Sequence, residues 1–191
     1  MENYTIRLVK PEDAAEILGI YSPYIENTVI TFEYEVPSLE AFRTRITQIC
    51  HYYPYLVCQV AGRIVGYAYA SRFRERAAFQ WDVEASIYLH PDAQGKGIAK
   101  RLYHALFEIL SLQKFCNVYS YICYPNEKSI GLHEHFGFTE CARYENAGYK
   151  HNDWRTLVCL TKQLNLPAHP ETPLGIGELD QTAIDNILSN S

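Results

Sequence analysis

The stretch IYLHPDAQGKGIA, residues 87–99, carries the strongest indication of the fold in this chain of 191 residues. Apolar and polar residues alternate up to Leu89, glycines form a turn at 95–97, and an apolar helical pattern begins at Ile98. A helix that begins at such a turn presents unpaired N–H groups and the positive end of its dipole, which suits a phosphate. A plain strand–turn–helix connection is the alternative, because the stretch lacks both the G-x-G-x-x-G fingerprint and a Gly-Lys-Ser/Thr sequence.

The rest of the chain alternates between the two periodicities that distinguish strands from helices. Pro11 and Ser38 suit helix starts, whereas Pro23 predicts a loop or a broken helix over residues 22–31. This order predicts an α/β (α+β) fold with a mixed, largely antiparallel central sheet of about seven strands, flanked by four or five helices. The segments predicted as strands are residues 4–9, 55–60, 64–71, 79–89, 118–124, 138–144 and 155–164, and those predicted as helices follow Pro11 and Ser38 and cover 98–112 and 129–136.

The residue composition changes after Leu164, and this change predicts that the domain ends there. A chain of 191 residues suits one domain, which we place at residues 1–164. Residues 165–191 contain prolines at 167, 170 and 173 and glycines at 175 and 177, so they are predicted to form a loose tail. The pattern over residues 178–188 permits a short helix within that tail.

The composition argues against several classes of function. Seventeen Lys and Arg residues against 22 Asp and Glu give a net charge of −5, which disfavours general nucleic-acid binding. No segment approaches the roughly 20 apolar residues of a membrane helix, and the first residues lack the layout of a signal peptide. The sequence therefore predicts a cytoplasmic protein without membrane contact. The six cysteines form no C-x-x-C pair, which predicts reduced thiols rather than a zinc or redox site.

Three stretches in a fixed order point to a family. The turn contains Gln94, Gly97 and Ala99 in the pattern Q-x-x-G-x-A, the stretch LHEHFGF follows Asn126 at 132–138, and TIRLVKPED lies at 5–13. Together they resemble the motifs of the GNAT superfamily of N-acetyltransferases. The resemblance implies a GNAT-like acyl-CoA N-acyltransferase fold, with acetyl-CoA as cofactor, a turn that binds its pyrophosphate, and a short helix beside its pantetheine arm.

Four further stretches narrow the resemblance to one branch. They are TFE at 31–33 with YPYLV at 53–57, RAAFQWDVEASIY at 76–88, and GYKHNDW at 148–154. These are similar to segments of the phosphinothricin acetyltransferase branch, and the similarity covers roughly residues 3–164. The resemblance implies acetyl transfer from acetyl-CoA to the α-amino group of small amino-acid-like substrates, which include glutamate analogues and methionine sulfoximine or sulfone.

The resemblance also implies two catalytic residues, Glu84 and His133. A substrate ammonium must lose a proton before it attacks a thioester, and a carboxylate in a cleft can accept that proton directly or through water. Glu84 lies at the branch's general-base position, and a salt-bridged surface glutamate is the alternative. His133 lies where many members carry a tyrosine that protonates the leaving thiolate. A histidine that only forms hydrogen bonds is the alternative, with Tyr124 and Tyr88 as further acid candidates.

The cofactor is expected along one strand, the glycine turn and the short helix. A backbone N–H near Ile87 or Tyr88 is expected to stabilise the thioester oxygen as negative charge develops on it. The resemblance further implies that this strand separates from the strand at 118–124 and admits the cofactor between them. The residues predicted to bind acetyl-CoA are Ile87, Tyr88, Leu89, Gln94, Gly95, Lys96, Gly97, Ile98, Ala99, Asn126 and Ser129.

Substrate recognition is expected from an arginine pair and an aromatic set. A guanidinium suits a substrate carboxylate, which makes Arg76 the first candidate and Arg74 the second; solvated loop charges are the alternative. The branch commonly has threonine at position 82, where this chain has Asp82. A second negative charge beside Glu84 is expected to raise the pKa of one of the two and to disfavour acidic substrates. The residues predicted as further pocket walls are Phe32, Tyr149 and Lys150.

Several alternatives remain open at this point. Acetylation of protein amines is one, although Phe32, Arg76 and Tyr149 favour a closed small-molecule pocket. A non-catalytic acyl-CoA-binding module is another, and the presence of Glu84 and His133 argues against it. His133-Glu134-His135 lacks metal-ligand spacing, so no metal is predicted. Sixteen tyrosines and the branch's habit of pairing predict a homodimer.

Overall fold

The computed structural model describes residues 4–191, which form one seven-stranded sheet with the order β1-β2-β3-β4-β5-β7-β6. Neighbouring strands are antiparallel except β4 and β5, which are parallel. The predicted mixed, largely antiparallel sheet of about seven strands is therefore confirmed, and five helices flank it where four or five were predicted. The strands are β1 Tyr4–Leu8, β2 Tyr55–Val60, β3 Arg63–Arg72, β4 Asp82–Leu89, β5 Asn117–Tyr124, β6 Thr139–Lys150 and β7 Asp153–Gln163, and the helices are α1 Ala14–Asn27, α2 Leu39–Cys50, α3 Ile98–Leu112, α4 Glu127–His135 and α5 Gln181–Ser189.

Each face of the sheet carries its own apolar core. Strand side chains alternate between the faces, so Tyr67 packs against α1 and α2 whereas Ala68 packs on the side of α3. The α3 core is the larger and includes the fully buried Leu102 and Leu106 at helical spacing. Among residues 4–191, no helix combines the length and the apolar character needed to cross a membrane.

Helix α1 corrects the prediction of a loop or broken helix over residues 22–31. The helix continues through Pro23 as far as Asn27. Pro23 has no N–H for the carbonyl of Gly19, but Ile20 and Ile25 on either side of it are buried in the core. Their burial outweighs the lost hydrogen bond, so the helix ends one turn later than the proline indicates.

Strand β6 also differs from its prediction, because it extends to Lys150 rather than residue 144. Its side chains are almost all exposed, so the sequence has no apolar alternation there. The strand forms because its backbone pairs with β7 across two irregularities in register, at Glu140/Ala142 and at Tyr144/Gly148.

The segment after Leu164 is not the loose tail that its prolines predict. The Trp81 Nε1–H donates to the carbonyl of Glu171 at 2.8 Å, and the Gln113 amide donates to that of Leu174 at 2.8 Å. Ile184 on α5 is 1% exposed and completes the α3 core. The predicted short helix is present as α5, and the segment is held against the sheet domain at Glu171, Leu174 and Ile184.

Candidate active site

The parallel strands β4 and β5 pair over only three positions and then separate. Residues 82–84 of β4 pair with residues 117–119 of β5. Within the described residues, no further backbone pairing joins these two strands. Beyond the paired residues the Ser120 hydroxyl donates to the carbonyl of Ala85 at 3.0 Å, and a cleft opens between the strands. The cleft is lined by Ile30, Ala85, Ser86, Ile87, Tyr88, Tyr103, Ser120, Tyr121, Ile122, Cys123, Asn126, Ser129 and His133.

The glycine turn at the end of β4 forms an open anion cradle. Gly95 and Gly97 have φ angles of +74° and +80°, and a Cβ on either would meet no atom within 4 Å. Gly97 is the N-cap of α3 and provides no side-chain cap, so N–H groups of the first turn remain for a ligand. The turn is anchored on one side, because Gln94 donates to the Tyr24 hydroxyl at 3.3 Å and Tyr24 donates to the Leu89 carbonyl at 2.6 Å. This geometry fits the pyrophosphate of coenzyme A.

The other residues predicted for the cofactor lie on the two walls of the cleft or at the turn. Ile87 and Tyr88 line it from β4, while Asn126 and Ser129 line it from the start of α4. The Asn126 side chain accepts a hydrogen bond from the Ser129 N–H at 3.2 Å and so fixes the first turn of that helix. Lys96 lies within the turn between the two glycines, and Ile98 and Ala99 begin α3.

Glu84 lies at the point where the strands separate. Burial raises the pKa of its carboxyl group, and the positive charge of Arg74 opposes that shift. The direction agrees with the sequence prediction, but the cause is burial rather than the charge of Asp82. Asp82 instead accepts a hydrogen bond from the Asn117 amide at 2.9 Å at the closed end of the pairing. A desolvated carboxylate beside an open cleft is suited to accept a proton near neutral pH.

His133 is bonded through both of its ring nitrogens. Its Nδ1–H donates to the Ser129 carbonyl at 2.7 Å, so Nε2 accepts the Tyr103 hydroxyl at 2.9 Å. Burial lowers the pKa of His133, which favours this neutral tautomer. Burial also raises the pKa of Tyr103, so the phenol keeps its proton. The pair places a protonated hydroxyl, rather than an imidazolium, on the wall of the cleft.

The structure places Arg74, rather than Arg76, beside the candidate base. Arg74 donates to the Tyr121 hydroxyl at 3.5 Å and stacks over the Phe73 ring at 5.0 Å. Arg76 lies two residues further along the loop as the exposed N-cap of a short 3₁₀ turn. Both arginines are exposed, and Arg74 is the one whose charge acts on Glu84; the choice of Arg76 as first carboxylate-binding candidate stays a prediction.

The loop between α1 and α2, residues 28–38, contacts β6 near the cleft, and we call it the roof. The Phe32 ring rests on the bare Cα of Gly148, where an added Cβ would meet it at 2.5 Å. Lys150, predicted as a pocket wall, is 3% exposed, and its ammonium donates to the carbonyls of Ile25 at 2.7 Å and Thr31 at 2.8 Å. Lys150 is a buried tether of this loop rather than a side chain offered to substrate.

A second tether lies at the outer end of the same roof. The Tyr34 hydroxyl donates to the carbonyl of Tyr149. The Tyr149 ring is 47% exposed and packs edge-on against Trp154 at 5.3 Å. The Tyr149 backbone thus holds the roof, while its side chain faces outward at the rim.

Comparison with known proteins decides the family. Residues 6–156 match the family model of the acetyltransferase (GNAT) domain. The chain belongs to the GNAT family. Among its relatives, a phosphinothricin N-acetyltransferase of Streptomyces viridochromogenes is 32% identical over 165 residues, which cover 86% of this chain and 90% of that protein. An L-methionine sulfoximine/L-methionine sulfone acetyltransferase of Pseudomonas aeruginosa is 32% identical over 174 residues, which cover 88% and 98%.

A solved GNAT structure matches most of the chain. The phosphinothricin acetyltransferase of Sinorhizobium meliloti, determined in complex with acetyl-CoA, superimposes with a TM-score of 0.85 and 33% identity. The match covers 90% of this chain and 95% of that one. These findings confirm the predicted resemblance, the enzyme class of N-acetyltransferase, and acetyl-CoA as the cofactor.

Two tyrosines that line this GNAT cleft, Tyr103 and Tyr121, were not predicted from the sequence. Tyr103 lies on α3 between apolar positions, so at helical spacing it resembles a core residue. Tyr121 lies on β5 in a run of alternating residues and shows no distinguishing signal. Only the separation of β4 and β5, a tertiary feature, exposes both of them to the cleft.

Proposed function

We propose that this GNAT enzyme transfers the acetyl group of acetyl-CoA to the α-amino group of a small amino-acid-like acceptor in the cytoplasm. The observation that carries the proposal is the half-buried Glu84 carboxylate at the point where β4 and β5 separate. The names of the relatives support the acceptor class, because phosphinothricin and methionine sulfoximine are both small amino acids. The predicted preference against acidic acceptors belongs to the same proposal.

The residues of the cleft divide the chemistry between its two ends. Acetyl-CoA supplies an activated acetyl thioester when it is bound. In this proposal Glu84 accepts the proton that the acceptor ammonium must lose before its nitrogen becomes nucleophilic. One backbone N–H, that of Ile87 or of Tyr88, points to the β5 side beyond the last pairing and is available as a donor to a developing oxyanion, because successive N–H groups of β4 alternate between β3 and β5.

The proton for the departing thiolate is assigned to the hydroxyl of Tyr103. That hydroxyl keeps its proton at neutral pH and lines the cleft. His133 accepts its hydrogen bond and is itself held by Ser129, which orients the hydroxyl. His133 is then a positioning residue: Tyr103 breaks this hydrogen bond when its proton passes to the thiolate, and the phenolate regains a proton from solvent before the next turnover. This arrangement supports the alternative in which His133 forms hydrogen bonds without donating a proton directly.

The roof favours a free amino acid over a peptide or protein amine. A peptide acceptor needs an open path along the cleft for the chain beyond its first residue. Here the loop that carries Phe32 is tied to β6 by the Lys150 ammonium and by the close contact at Gly148. A small acceptor fits under such a roof without breaking these contacts.

The proposed function predicts a clear order among acceptors. We expect thiol release from acetyl-CoA with methionine sulfoximine and related amino acids, and a kcat/KM at least about tenfold lower with a tripeptide that starts with the same kind of residue. The measurement is a thiol-release assay over a panel of amino acids and peptides. Faster turnover of the peptides would support the protein-amine alternative, and binding of acetyl-CoA without turnover of any acceptor would support the non-catalytic one.

The predicted homodimer is also retained as a proposal. The support comes from β6, which is an edge strand with almost all of its side chains exposed. The tyrosine count is a poor guide, because Tyr55, Tyr67 and Tyr103 lie in the cores. We expect light scattering at micromolar concentration to give twice the chain mass of 22.0 kDa. A particle of the single-chain mass would contradict the dimer.

A further inference from the structure

Tyr121 occupies a position that links the cleft to the candidate base. It lies two residues beyond Tyr119, which pairs with Glu84 across the last joined position of β4 and β5. Its side chain lines the cleft, yet its hydroxyl accepts a hydrogen bond from the Arg74 guanidinium at 3.5 Å. The phenol therefore extends from the open part of the cleft toward the loop before β4. On its other side Tyr121 is paired with Cys159 of β7.

The Arg74 guanidinium connects this hydroxyl to the Glu84 carboxylate. Arg74 lies close enough to Glu84 to oppose the shift that burial causes in the pKa of its carboxyl group. Within residues 4–191 no ion pair engages Arg74, whose described contacts are the Tyr121 hydroxyl and the Phe73 ring. A guanidinium and a phenol thus converge beside a carboxylate, leaving a positive charge for an incoming anion.

We propose that Tyr121 is a specificity-determining residue: its hydroxyl and the Arg74 guanidinium donate hydrogen bonds to the carboxylate of the acceptor, and its ring limits the size of the acceptor's side chain. This inference rests on the proposed function and assigns its acceptor to the α-amino acids. Burial raises the pKa of Tyr121 to about 12, so the hydroxyl remains a donor at neutral pH.

The chemistry of an α-amino acid matches this arrangement. Its amine and carboxylate are attached to one carbon, so an acceptor whose amine lies at Glu84 must place its carboxylate close by. Arg74 and Tyr121 provide donors there, and a carboxylate left without them in a partly buried site is strongly disfavoured. An amine without a carboxylate gains nothing from either donor.

The test compares Tyr121→Phe with the matched variant Tyr119→Phe. Tyr119 lies on the same strand but stacks on Phe73 at 4.1 Å and does not line the cleft. With methionine sulfoximine as acceptor, we expect Tyr121→Phe to raise KM roughly tenfold or more, with kcat nearly unchanged. The KM of the corresponding decarboxylated amine should not change, and Tyr119→Phe should behave as wild type with both acceptors.

A second variant tests the role of the ring. Tyr121→Val removes most of the side chain, so we expect the kcat/KM ratio of tryptophan to alanine to rise by about tenfold. This inference alone would be overturned if the wild type is active, Tyr121→Phe has the wild-type KM for methionine sulfoximine, and Tyr121→Val has the wild-type tryptophan-to-alanine ratio of kcat/KM. A wild type that releases no thiol with any amino acid would overturn the proposed function and this inference together.

Discussion

Glu84→Gln is expected to lower kcat by about 10²–10⁴-fold at neutral pH, because the amide keeps the shape of the carboxylate but accepts no proton. Acceptor KM should stay near its wild-type value, since the amine contacts remain. The loss should shrink as the pH rises, because more of the acceptor amine is then neutral without the help of a base. Steady-state thiol release over a range of pH measures both effects.

The wild-type pH profile gives an independent check on the same residue. Because burial raises the pKa of Glu84, its carboxylate form is lost at a higher pH than that of an ordinary glutamate as the solution is acidified. The acidic limb of kcat/KM should therefore lie above the usual glutamate range and disappear in Glu84→Gln. Glu40→Gln, on the exposed first turn of α2, is the control for losing a carboxylate elsewhere. Wild-type kcat in Glu84→Gln at neutral pH would contradict the base assignment.

Gly97→Val is expected to weaken acetyl-CoA binding by roughly 10–100-fold, the range for losing one or two charge-assisted hydrogen bonds. The added side chain would stand in the open space where a phosphate approaches the first turn of α3. Isothermal titration with acetyl-CoA measures the dissociation constant directly.

The hairpin between β2 and β3 provides a matched control for backbone strain. Gly62 has a φ angle of +78°, against +80° at Gly97, and a Cβ on either would meet no atom within 4 Å. Gly62→Val therefore carries the same conformational cost at a turn outside the cleft. Equal acetyl-CoA affinities in the two folded variants would show that the glycine turn does not hold the cofactor.

The parts of the fold that follow apolar periodicity could be predicted from the sequence. Helix α3 begins at Ile98 and ends at Leu112 as predicted, because Leu102 and Leu106 recur on one face and are fully buried. The end of β6 could not be predicted, since that strand is held by backbone pairing and its exposed side chains show no pattern.

The features that were mispredicted depend on contacts between distant residues. Gln113 and Trp81 hold the segment after Leu164 through backbone carbonyls, which no local composition reveals. Lys150 was predicted to line the pocket, but its ammonium donates hydrogen bonds to the carbonyls of Ile25 on α1 and Thr31 in the following loop, which are distant in sequence. The candidate site was predictable where a motif marks it, at Gly97 and Glu84, and unpredictable where only the separation of two strands exposes a side chain, as at Tyr103.

In the proposed reaction the acceptor amine and the thioester meet in one cleft, and Glu84 lies where its two strands separate. The most direct test is an initial-velocity study that varies acetyl-CoA at several fixed concentrations of methionine sulfoximine. Direct attack requires both substrates on the enzyme at once, so double-reciprocal lines should intersect. Parallel lines, which indicate an acetyl-enzyme formed before the acceptor binds, would rule out direct attack of the amine on the thioester.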